Sequence, residues 1–134
     1  MLRSNVALNE PMYSDTTKVS VETLNWLDEP LPALLASDDE KNCFDTILIA
    51  DCIYKHAPLQ ALVNVICNYA NENTRIWMTC EKHDPESFAA FERFAQASSL
   101  QIEPLTTQGK VYTFELRINA SSASARLNND NSVN

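Results

Sequence analysis

Gly109 is the only glycine in 134 residues, where average usage near 7% predicts roughly nine. A cradle of consecutive glycine amides for phosphate or nucleotide is therefore excluded within this stretch of chain. Basic charge is also scarce. Lys and Arg number 10 against 18 Asp and Glu, for a net charge of -8 and a pI near 4.6. Nucleic acid and anionic membrane carry the same sign, so neither is expected as a partner, and a basic protein surface or cationic side chain suits the chain better. No run reaches the ~18 apolar residues of a membrane span, and MLRSNVALNE lacks the apolar core of a signal peptide. The expectation is a cytosolic or nuclear protein. Cys43, Cys52, Cys67 and Cys80 form no CxxC pair and read as reduced thiols in or beside apolar segments. GxSxG and HExxH are absent as well, so nucleophilic hydrolysis has no motif behind it.

Several elements are legible in what is present. LRSNVALN, residues 2–9, reads as the last turns of a helix that ends before Pro11. The alternating VSVETL of 19–24 predicts a strand closed by Asn25-Trp26, and an acidic, Pro-containing stretch follows from Asp28 to Asn42. DTILIAD, 45–51, has no polar alternation, as expected for a parallel strand covered on both faces. Pro58 suits the first turn of a helix whose stripe is Leu59, Leu62, Val63, Ile66 and Tyr69. TRIWMTC, 74–80, is the next strand, with Trp77 expected in the core. Asp84-Pro85 opens a helix with Phe88, Phe91 and Phe94 along one side. Two final strands, 100–104 and 110–117, flank TTQG, where the glycine serves a turn. The tail 119–134 has little to bury and reads as disordered, leaving residues 1–118 as the folded part. This order describes an α/β layer with right-handed crossovers.

Ligands in such sheets sit beyond the carboxyl ends of the strands. Asp51 ends the apolar strand, several residues too early to cap the following helix, and a charge there is costly to place without purpose. Tyr54, three residues on, covers the sheet with its ring or presents a hydroxyl or π-face to the same pocket. Trp26 offers a flat wall for a planar ring. Cys52, His56, Cys80 and His83 lie just beyond two adjacent strands and contain the atom types of a zinc site. Neighbouring side chains at strand ends can point to opposite faces, so no metal is assigned.

LRSNVALN, VSVETLNW, FDTILIADCIY, TRIWMTC and DPESFAAFERF, in this order, resemble the seven-strand S-adenosylmethionine-dependent protein-lysine methyltransferases that act on translation factors and chaperones. The resemblance covers residues 2 to about 118 and implies the C-terminal half of a Rossmann-like sheet. The first two strands and the glycine-rich loop would precede Met1. It further implies S-adenosylmethionine as cofactor and a protein lysine as target. The family's acid-x-x-aromatic signature at the lysine channel is matched by Asp51-Cys-Ile-Tyr54. Its Leu-Asp-Trp signature is matched by Leu24-Asn25-Trp26, which places Trp26 beside the adenine and changes the usual acid to Asn25. Ala50 corresponds to a residue lining the cofactor site.

The family's strand order, 3-2-1-4-5-7-6, would separate the strand at 19–23 from that at 45–51 by two strands. At about 4.8 Å per spacing these segments would stand roughly 14 Å apart. The apolar strand would then be an open edge, prone to aggregate or to pair with another chain. A non-catalytic interaction module or truncated isoform is the alternative expectation, and an arginine- or small-molecule-methylating relative is a further one.

Overall fold

The computed structural model describes residues 1–32 and 43–119. Residues 33–42 of the acidic stretch, and the expected tail apart from Asn119, lie outside the described residues. Helix α1 spans Leu2–Asn9 and passes into a 3-10 turn, Glu10–Met12, at Pro11. Strand β1, Thr46–Ala50, is followed by helix α2, Leu59–Tyr69, and strand β2, Arg75–Glu81. Helix α3, Pro85–Ala97, then leads into the hairpin of β3, Leu100–Gln108, and β4, Val111–Ile118.

The four strands form one sheet in the order β1-β2-β4-β3. β1 and β2 run parallel, joined by α2, while β4 pairs antiparallel with both β2 and β3. α2 and α3 bury their stripes on one face of this sheet. Leu59, Leu62, Val63 and Ile66 from α2 and Phe88, Phe91 and Ala95 from α3 meet Ile76, Met78, Cys80, Phe114 and Leu116 from the strands. Each large apolar side chain so buried contributes about 1.5–3 kcal/mol relative to exposure. At the hairpin tip Gly109 adopts φ 62°, the left-handed geometry that its lack of a Cβ makes easy. TTQ joins β3 instead of forming a loop, because Thr106, Thr107 and Gln108 find partners in Thr113, Tyr112 and Val111 past a register shift at Pro104/Thr106.

Three expectations need correction. Residues 19–24 form no strand: a strand needs a neighbour to satisfy its backbone, and none of the described strands runs beside this segment. Its contact with α1 is instead a hydrogen bond from the Arg3 guanidinium to the Val21 carbonyl, 3.1 Å. At the end of this segment and just past it, Leu24 and Trp26 share a cavity with Ile47, Leu48 and Ala50. Finally, β1 is covered on one face only. Leu48 is 74% exposed, and its cross-strand neighbour Trp77, expected in the core, is 37% exposed. Both helices lie on the other face, so the row Leu48, Trp77, Glu115 and Glu103 runs bare across the sheet. Its outer end is polar, where Arg117 bridges Glu115 at 2.8 Å and Glu103 at 4.0 Å.

The two edges of the sheet are unlike. β3 carries Pro104, a register irregularity and Glu103, devices that discourage further pairing. β1 is the apolar run TILIA with none of them. It is the expected open edge.

Candidate functional site

β1 ends where parallel pairing still holds the chain. The Asp51 amide donates to the Thr79 carbonyl at 2.8 Å, so the ladder extends one residue past the strand. The backbone then turns sharply, with Asp51 at φ 53°, in the left-handed region that Asp and Asn enter more readily than most residues. This turn sorts the next side chains. Ile53 is buried in the core, Cys52 is half-buried, and Asp51 and Tyr54 face solvent, Tyr54 being 51% exposed. A short turn, with the Ala57 amide donating to the Tyr54 carbonyl at 3.0 Å, carries the chain toward α2. Since α2 starts at Leu59, Asp51 is not its cap.

A cavity of about 230 Å³ opens on the sheet's helix-covered side and the β1 edge. Trp26, Ala50, Ile47, Cys52, Ile66 and Tyr69 are among its walls, which are almost entirely apolar. Trp26 is half-buried against the core cluster. Tyr69 closes the far side with its hydroxyl donating to the Pro32 carbonyl and its ring 6.0 Å from that of Phe44. Burial pushes the Tyr69 phenol above its ordinary pKa, so it remains a neutral donor. Trp26 and Ala50, far apart in sequence, thus line one space. Asp51 and Tyr54 do not line it; Asp51 stands between the lining residues Ala50 and Cys52. Among the described residues, neither the Asp51 carboxylate nor the Tyr54 hydroxyl has a hydrogen-bond partner, leaving both open to an incoming group.

The thiols nearby are held protonated. Burial raises the Cys52 pKa, and the Asp51 charge adds to it; the thiol donates to the Ala50 carbonyl at 3.4 Å. Burial likewise raises Cys80, where Lys82 acts in the lowering direction and Asp51 in the raising one. Neutral thiols are poor nucleophiles and poor metal ligands. Among the described residues no group of three or more His, Cys, Asp and Glu is placed to hold a metal, so Cys52, His56, Cys80 and His83 form no such set. His83 pairs with Glu81 instead, at 3.1 Å. Among the described residues no helix is long and apolar enough to cross a membrane.

Sequence reasoning did not foresee that Tyr69 and Cys52 would line this cavity. Tyr69 was legible only as part of the α2 stripe, and nothing local in Asp51-Cys52-Ile53-Tyr54 says which side chain turns inward until the left-handed turn at Asp51 is known.

Residues 1–97 match the family described as lysine methyltransferase. The match runs from α1 to the end of α3 and includes Trp26, Ala50, Asp51 and Tyr54; the β3–β4 hairpin lies beyond it. No curated protein matches the chain. With close to three quarters of its length inside that match, and the α/β sheet that the resemblance implies, the chain belongs to the lysine methyltransferase family.

Proposed function

We propose that this chain is the C-terminal half of an S-adenosylmethionine-dependent protein-lysine N-methyltransferase, acting in the cytoplasm or nucleus on a translation factor or chaperone. The observation that carries the reading is the shared apolar cavity of Trp26 and Ala50 at the carboxyl end of β1, beside Asp51. Its fit to the cofactor is partial and specific. At about 230 Å³ it is smaller than the 300–1,000 Å³ usual for a whole ligand. Flat, apolar walls suit one planar ring, with the indole of Trp26 on one side and the small Ala50 leaving room on another. S-adenosylmethionine, when bound, supplies an electrophilic methyl group on a sulfonium. No glycine loop for its polar end exists in residues 1–134, so that end requires a segment from outside them.

The chain's own residues then act on the acceptor. A lysine ammonium, pKa near 10.4, must lose a proton before its nitrogen can attack. Positive charge returns to that nitrogen as the new bond forms. The Asp51 carboxylate, exposed and unpaired among the described residues, orients the incoming lysine and favours this returning charge. The Tyr54 ring borders the channel and offers its π-face to the cationic nitrogen.

Tryptophan fluorescence tests the cavity assignment. In a cofactor-competent assembly with Trp77→Phe, leaving Trp26 as the one indole of this chain, S-adenosylmethionine is expected to quench emission. Loss of base–aromatic stacking costs about 1–3 kcal/mol, and 1.4 kcal/mol is tenfold in affinity. Trp26→Ala should therefore weaken binding by roughly 5- to 150-fold; unchanged affinity removes Trp26 from the site.

The open β1 edge favours a second reading, a non-catalytic module that docks through β1. Leu48→Lys places charge on the bare apolar edge strand, where it opposes association. Light scattering should show less concentration-dependent assembly, with unfolding stability changed by no more than about 0.5 kcal/mol, as for an exposed site. Assembly unaffected by this change counts against docking through β1.

A further inference from the structure

Lys82 sits in the short connection between β2 and α3, apart from the cavity of Trp26 and Ala50. Its Nζ stands 3.9 Å from the centre of the Phe88 ring, 4.7 Å from Tyr112 and 5.3 Å from Phe114. All three lie within the ~6 Å reach of a cation–π contact. Phe88 comes from the start of α3, and Tyr112 and Phe114 from β4. The rings form a continuous floor, with centroids 5.2 Å apart for Phe88 and Phe114 and 6.4 Å for Tyr112 and Phe114. Phe88 and Phe114 are buried and Tyr112 half-buried, while Lys82 is exposed.

The polar side of this seat is bare. Among the described residues no carboxylate lies in ion-pair range of Nζ and no oxygen accepts a hydrogen bond from it. The adjacent Glu81 is engaged by His83. An unmodified ammonium has three N–H donors, and ring faces satisfy them far less well than oxygen does. It must keep water that the rings would otherwise displace. Each methyl that replaces an N–H removes one such donor, retains the charge and adds apolar surface against the rings. The seat therefore suits a methylated ammonium better than the bare one.

We infer that Lys82 is itself a methylation site, whose methylated ammonium is retained by Phe88, Tyr112 and Phe114. The product ties the β2–α3 connection to β4. Only the class of donor and enzyme rests on the methyl-transfer reading above; the seat is a property of this chain's own geometry. Reaction occurs after the exposed side chain swings into solvent, where its ammonium gives one proton to water. The amine lone pair then forms a bond to the methyl carbon of a sulfonium donor, and the C–S bond breaks with its electron pair going to sulfur, leaving a thioether and a charged methylammonium.

Two measurements test this. Peptide mass mapping of the protein isolated from cells should find a larger methylated share at Lys82 than at Lys18, Lys55 or Lys110; an unmodified Lys82 in fully covered peptides overturns the assignment. Reductive methylation with ¹³C-formaldehyde places dimethyl groups on the lysines without any enzyme. The Lys82 methyl resonance, assigned by its loss in Lys82→Arg, should lie upfield of the other dimethyl-lysines through ring currents and move toward them in Tyr112→Leu. Coincidence with the other lysines in the unsubstituted protein overturns the seat. Because this second measurement needs no transferase activity, its result stands whether or not the chain takes part in methyl transfer.

Discussion

Replacing Asp51 with Asn in a cofactor-competent assembly should lower methyl-transfer turnover about 10²-fold, the scale for losing one positioned electrostatic partner. Cofactor affinity should change by less than about twofold, because Asp51 does not line the cavity of Trp26 and Ala50. Asn is the informative substitution. The backbone at Asp51 has φ 53°, which Asn adopts readily and Ala does not. Asp51→Ala mixes lost charge with local strain of about 1–3 kcal/mol. Steady-state and single-turnover rates on the same protein substrate separate the two effects. Turnover unaltered in Asp51→Asn would leave the carboxylate with no part in the reaction.

The largest effect on stability is expected at Phe91. It is fully buried, at 0% exposure, where α3 meets the sheet and α2. Truncation to Ala costs about 3–5 kcal/mol through lost transfer energy and the cavity left behind. Domains of this size have only about 5–15 kcal/mol in total. Phe91→Ala should therefore shift the urea midpoint severely or leave the chain unfolded at 37 °C. Glu92→Ala, on the exposed side of the same turn, should stay within about 0.5 kcal/mol. Similar midpoints for the two variants would mean that α3 is not docked as described.

The central α/β unit was readable because its signals are local. Leu59, Leu62, Val63, Ile66 and Tyr69 recur at helical spacing and are all buried. Asp84-Pro85 marks the start of α3, where the Ser87 hydroxyl donates to the Asp84 carboxylate and, as the main cause, holds it below its ordinary pKa. What failed depended on neighbours. VSVETL has strand-like alternation, but alternation describes a face to bury and not the presence of a partner. DTILIAD and Trp77 have the hydrophobicity of doubly covered strands, yet both helices lie on one side of the sheet. The candidate site was legible to the same degree. Trp26 and Ala50 could be named from their signatures and do share a cavity. The outward turn of Asp51 and Tyr54 comes from backbone geometry that no spacing rule encodes, and Lys82 carries no local signal because its three rings come from two later elements.

The unequal edges of the sheet also set how its amide protons meet the solvent. β2 and β4 are paired on both sides, so their amides exchange for deuterium only when the sheet opens. Among the described strands β1 has one neighbour. Its Asp51 amide points to β2, and by the two-residue alternation of a strand those of Leu48 and Ala50 point away, toward the free edge. These outward amides exchange without any unfolding. The β1 edge therefore keeps a running record of whether another strand has come to lie against it.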